Sequence, residues 1–114
     1  MKNLLLLLLL VTVNANAAWI GVTGKVTTIL LYDSTDSILV VLDSSGAAVA
    51  ECSNNQTFAI NGALPADRRN QMLSALMTAK ASGQSVTIMF NDVGGCVSWG
   101  ASSNVYRKIE RVGF

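Results

Sequence analysis

The chain has 114 residues, of which 51% are hydrophobic and 13% charged, with eight basic and seven acidic side chains, a formal net charge of +1 and no histidine. So balanced a charge argues against nucleic acid or an anionic membrane surface as the principal partner. Without imidazole, Ser-His-Asp and Cys-His catalysis and histidine metal sites are excluded. Enzymatic chemistry would fall to carboxylates or lysine.

Residues 1–17, MKNLLLLLLLVTVNANA, carry Lys2, an unbroken apolar run over 4–11 and small residues at Ala15 and Ala17. This pattern predicts a secretory leader cleaved after Ala17. The apolar run is well short of the roughly 20 residues a bilayer span needs, so no membrane span is expected once the leader is removed. Residues 18–114 then form one domain, secreted or periplasmic, in an oxidising compartment. Lys2 leaves with the leader, so seven basic residues face seven acidic ones. Both cysteines, Cys52 and Cys96, lie in this domain. Free or metal-binding thiols would need partners, yet there is no C-x-x-C motif and no histidine. A disulfide is the simplest account.

In chain order, residues 19–32 read as a long first strand, rich in β-branched and aromatic residues, with Gly21 and Gly24 suiting a bend. A polar turn at 33–37 leads to an apolar second strand at 38–42, and a turn at 43–46 to a smaller third strand at 47–52. Residues 53–56 read as loop, 57–60 as a short extended piece and Asn61-Gly62 as a turn. The helix is expected over 65–82, with Pro65 at its first position, Asp67 in its first turn and Gly83 ending it. Its apolar stripe is read as Leu73, Leu76 and Met77, with the Lys80 stem at its end. Residues 85–90 alternate, placing Val86, Ile88 and Phe90 on one face. After a turn at 91–96 and a Gly/Ser-rich loop at 97–104 holding Trp99, residues 105–112 read as a last strand. Its charges at Arg107, Lys108, Glu110 and Arg111 suit a sheet edge.

The order β-β-β-α-β-β in a mostly β, α+β chain is that of a five-stranded oligonucleotide/oligosaccharide-binding (OB) barrel, with the helix plugging the barrel between strands three and four. An α+β sheet with one helix across its face has the same element order.

Candidate chemistry is sparse. Asp33 and Asp36 flank one turn, where aspartates ordinarily satisfy their own backbone rather than hold calcium or act as an acid/base pair. Gly21 to Lys25 ends in Gly-Lys but lacks the spacing of a phosphate loop and enters a strand. Asn55-Gln56-Thr57 matches a glycosylation acceptor and equally an ordinary polar turn. Arg68-Arg69 lies on the first helical turns, where positive charge opposes the dipole, so a solvated face is expected. Trp19 is expected to pack over a barrel end. Trp99, among Gly, Ser and Asn, suits either burial under the loop or stacking on a sugar ring. No catalytic residue, metal site or cofactor is expected.

Trp19-x-Gly21, Thr23-Gly24 entering the first strand, Glu51-Cys52-Ser53, and residues 74–88, where a helix ends in Gly83-Gln84 and runs into a strand, resemble the binding (B) subunits of subtilase-cytotoxin and pertussis-like bacterial toxins. The resemblance implies an OB-fold subunit that assembles into a homo-oligomeric ring and binds cell-surface glycans. Thr23-Gly24 matches the Ser-Gly pair that supplies a hydroxyl to sialic acid in those toxins, although Val22 stands where they carry a tyrosine. Thr23, which the resemblance implies, and Trp99, which its loop composition suggests, are the expected ligand-binding residues. The alternative expectation is a small envelope or structural protein that binds another protein through its edge strands.

Overall fold

The structure, a computed structural model, describes residues 18–114; the expected leader lies outside the described residues. Strand β1 (Trp19–Leu30) organises the sheet. Val22, Gly24 and Val26 point inward and alternate with exposed Gly21, Thr23 and Lys25, the period-two pattern of a half-buried strand. Its first half pairs antiparallel with β4 (Ser85–Asn91), and from Val26 onward it pairs antiparallel with β2 (Ile38–Leu42). The exchange of partners falls beside a register slip between Val26 and Thr28. Asp43 closes this junction: the Lys25 N–H donates to Asp43 Oδ1 at 2.8 Å, and the Asp43 N–H donates to the Lys25 carbonyl at 2.9 Å. A Cβ on Gly24 would stand 2.5 Å from that carboxylate oxygen, so only glycine allows the approach.

Strand β3 (Asn54–Ile60) pairs antiparallel with β2 and parallel with β6 (Ser102–Lys108), which in turn carries β5 (Cys96–Trp99). Strand β7 (Arg111–Gly113) adds to the far side of β4. The result is one open, mixed, seven-stranded sheet in the order β5-β6-β3-β2-β1-β4-β7. Helix α1 (Ala66–Ser82) lies between β3 and β4 in the chain and packs against β1, β3, β4 and β7. Among the described residues the fold is thus α+β and mostly strand, with three strands before a single helix, as expected. The five strands expected are seven. Among the described residues no helix is long and apolar enough to cross a membrane.

Three sequence expectations are corrected. The third strand is at 54–60, and residues 47–52 form an irregular loop. Ala47, Ala48 and Ala50 offer too little apolar surface to hold a strand there and stay exposed, while Val49 and Cys52 alone reach the core. Asn55 shapes this loop, accepting the Val49 N–H at 2.8 Å and donating to the Cys52 carbonyl at 3.0 Å. The expected loop at 97–104 is a β5–β6 hairpin that turns at Gly100, whose φ is 58°. The expected last strand breaks at Ile109, whose N–H donates to the Ala59 carbonyl, while the Glu110 N–H donates to that of Met89. The chain therefore crosses from β3 to β4 at this point, and Arg107 is fully buried rather than on an edge.

The helix starts at Ala66, with Pro65 extended in front of it, and ends at left-handed Gly83 (φ 68°). The Gln84 N–H reaches the Ala79 carbonyl at 3.0 Å and that of Gly83 reaches the Lys80 carbonyl, satisfying the last turn. Leu76 and Ala79 are buried and Met72 and Leu73 pack beside them, but Met77 is 53% exposed and Lys80 faces solvent. The buried stripe is therefore turned from the expected one toward Met72, Leu76 and Ala79. The small Ala79 lets the helix sit close to the sheet. Leu76 and Ala79 share one core with Val22, Val40, Phe58, Ile88 and Phe90. The expected disulfide is formed: Cys52 and Cys96 have Cα atoms 5.7 Å apart and join the 47–52 loop to the first residue of β5.

Candidate functional site

Where the β1–β2 loop meets the turn before α1 and the outer strand β5, the surface opens into a cleft of about 580 Å³. One wall is the polar run Ser34, Thr35, Asp36 and Ser37. The second is Asn61, Gly62 and Ala63, and the third comes from Cys96, Val97, Ser98 and Gly100. The first two walls are locked together. The Gly62 N–H donates to Ser37 Oγ at 3.1 Å, and the Ser37 N–H donates to Thr35 Oγ1 at 3.2 Å. A Cβ on Gly62 would come within 2.7 Å of the Ser37 nitrogen, so this contact too requires glycine. Asn61 folds its own side chain onto the Ala63 N–H at 3.0 Å, while Asp36 and Arg69 approach to 3.9 Å at the rim. The disulfide at Cys96 fixes the third wall.

Trp99, between the wall residues Ser98 and Gly100 in the chain, belongs to a row of three aromatic rings. Trp99 meets Tyr32 edge-to-face with centroids 4.9 Å apart and Tyr106 with centroids 5.5 Å apart. Trp99 and Tyr106 rest on a small second core of Leu39, Ala59 and Val97, formed where the β5–β6 hairpin packs on the sheet. Tyr32 remains 45% exposed. The hairpin is held from below by Arg107. Its guanidinium lies over the Phe58 ring at 3.9 Å and near the Phe90 ring at 5.2 Å, and it donates from Nη1 to the carbonyls of Ser45 and Ala47. Burial pushes this group down to about 10, so it keeps its charge at neutral pH.

The structure does not bring the two expected ligand-binding residues together. Trp99 belongs to β5 at one end of the strand order, whereas Thr23 lies on β1, with β6, β3 and β2 between them. The Thr23 hydroxyl faces outward and is 2.8 Å from that of Thr87 on β4. Asp33 and Asp36 are exposed turn residues, and among the described residues no three His, Cys, Asp or Glu side chains converge to hold a metal. Asn55 of the glycosylation tripeptide is occupied with the 47–52 loop. Arg68 is exposed, and Arg69 bends back to donate from Nε to the Leu64 carbonyl at 3.0 Å. Trp19 is 53% exposed rather than packed over an end, with the Arg111 guanidinium 5.6 Å from its ring.

Sequence reasoning missed the cleft because it joins three segments far apart in the chain. It also missed Tyr32 and Tyr106 as neighbours of Trp99. A signal existed for Arg107: it shares strand parity with Val105 and Ile109, two apolar residues. Comparison of the chain with protein-family models, with curated proteins and with solved structures found no significant match.

Proposed function

We propose that this chain is a secreted or periplasmic, non-enzymatic binding protein of OB-like architecture, and that its cleft takes a neutral saccharide. Three features support the architecture: β1 shared between β2 and β4, β3 parallel to β6, and a helix between β3 and β4. OB folds bind oligonucleotides and oligosaccharides over strands two and three and the loops after strands one and four, and the cleft draws one of its walls from the loop after β1.

The observation that carries the ligand class is the lining. The walls carry the hydroxyls of Ser34, Thr35 and Ser98 and the Asn61 amide, none of the wall residues is basic, and Trp99 stands in the chain between the wall residues Ser98 and Gly100. Hydroxyl and amide groups match the donors and acceptors of a sugar, and an aromatic face matches its C–H surface. Arg69 at the rim approaches Asp36 to 3.9 Å, so a polyanion would find little uncompensated positive charge there. The toxin-like version of this reading adds assembly into a ring and recognition of cell-surface glycans, with Thr23 as a contact.

A glycan array probed with residues 18–114, with native mass measured alongside, tests both versions. Binding to neutral glycans that is lost in Trp99→Ala and kept in Thr23→Ala is expected. Loss in Thr23→Ala alone would move the site to the outer face of β1. Absence of all glycan binding together with a monomeric mass would remove the toxin-like reading.

The alternative of a protein-binding envelope component draws on the two ends of the sheet. The end at β7 carries Phe114, 67% exposed, beside the short strand. One stoichiometric protein partner recovered from the native host, with no glycan bound on the array, would favour it.

A further inference from the structure

We propose that Asp92 is the built-in receptor for an α-ammonium group created at Ala18 by proteolytic cleavage of the Ala17–Ala18 bond. The Ala18 N–H donates to Asp92 Oδ1 at 2.8 Å, and the Asp92 N–H donates to the Ala18 carbonyl at 3.1 Å. Trp19 and Asn91 are paired in the β1–β4 ladder, so this reciprocal clamp extends the ladder by one residue. In an ordinary antiparallel ladder the amide hydrogen would meet a neutral main-chain carbonyl. Here it meets a carboxylate, which has acceptor capacity that a single amide proton leaves unused. Among the described residues Asp92 forms no ion pair with a basic side chain.

Ala18 is exposed and Asp92 half-buried. The residues before it, Ala15 and Ala17, are the small pair that a signal-peptidase-type endopeptidase reads. Hydrolysis places the hydroxyl of water on the Ala17 carbonyl carbon, which departs as a carboxylate. The Ala18 nitrogen takes a proton to become an amine and a second from solvent to become an ammonium. One amide donor becomes three donors on a cation, and the bond to Asp92 becomes charge-assisted. Cleavage one residue later would remove Ala18 and both bonds of the clamp. Processing at the Ala17–Ala18 bond therefore strengthens the junction between β1 and β4. This inference rests on the leader at 1–17 and is independent of any saccharide.

The test starts with the intact mass of the exported protein, which is expected to begin at Ala18. The thermal midpoint is then compared for Asp92 and Asp92→Asn, each with a free and with an acetylated Ala18 amine. Asn keeps the acceptor oxygen and loses the charge. Asp92→Asn is expected to lower Tm by about 2–5 °C in the free-amine chain and by less than about 1 °C in the acetylated one. Acetylation alone should lower Tm of the Asp92 chain by a similar amount, a comparison that survives even if the variant fails to fold. A different N-terminal residue, an equal effect of Asp92→Asn in both chains, or no effect of acetylation would each overturn the proposal.

Discussion

The guanidinium carbon of Arg107 lies 3.9 Å from the centroid of the Phe58 ring, and the arginine side chain is fully buried. Its charge is met by aromatic faces and by the carbonyls of Ser45 and Ala47, and among the described residues Nε and Nη2 have no hydrogen-bond partner. Such a group ties three regions together: β6, the β3–β4 core and the loop after β2. Removing it leaves a cavity and two carbonyls without their donor. Arg107→Ala is expected to cost about 3 kcal/mol or more in urea unfolding, and Arg107→Met less, since its stem refills the space. A loss under about 1 kcal/mol in Arg107→Ala would show that the buried charge contributes little.

The same residue sets a pH expectation. Desolvation lowers its folded value from the ordinary arginine range to about 10, so the unfolded state binds more protons only from about pH 10 upward. Stability owed to this group therefore rises with pH in that window and is constant below it. The stability difference between the natural chain and Arg107→Met should stay flat from about pH 5 to about pH 9. A slope through neutrality would mean that Arg107 does not titrate as its burial implies.

The helix stripe separates two neighbouring residues. Leu76 is 0% exposed and Met77 53% exposed. Leu76→Ala should cost about 2–5 kcal/mol, and Met77→Ala within about 0.5 kcal/mol of zero. Equal losses in thermal unfolding would return the stripe to the Leu73–Met77 side.

Cys52 and Cys96 are 44 residues apart in sequence, and their bridge pins β5 to the loop that Asn55 shapes. By the chain-entropy argument, reduction, or paired Cys→Ser substitution, should destabilise the fold by about 4 kcal/mol. Because Cys96 is also a cleft wall, saccharide binding should weaken under reducing conditions at temperatures where the domain remains folded. Unchanged stability after verified reduction would contradict the first part, and unchanged binding the second.

The cleft wall offers a more local test. Gly62→Ala forces a Cβ toward the Ser37 backbone and should cost about 1–3 kcal/mol while reducing saccharide affinity. Normal stability and affinity would show that the wall gives way freely.

What the sequence by itself determined was whatever a local pattern encodes. The period of two in β1 and β4, the helix closed by Gly83, the apolar β2 and the cysteine pair all follow from neighbouring residues and compartment. Tertiary structure decided the rest. Residues 54–60, with polar Asn54, Asn55 and Gln56 at their start, are a strand because β2 and β6 supply partners on both sides, while 47–52, whose alanines stay exposed, is a loop. Arg107 is internal because β6 runs between β5 and β3, where Phe58 and Phe90 accept its charge. The cleft and the aromatic row exist only once long-range pairing sets the β5–β6 hairpin beside the β1–β2 loop. Contacts between segments that many residues separate leave no periodic trace in the chain, so they are decided by which surfaces fit when the sheet closes over its core.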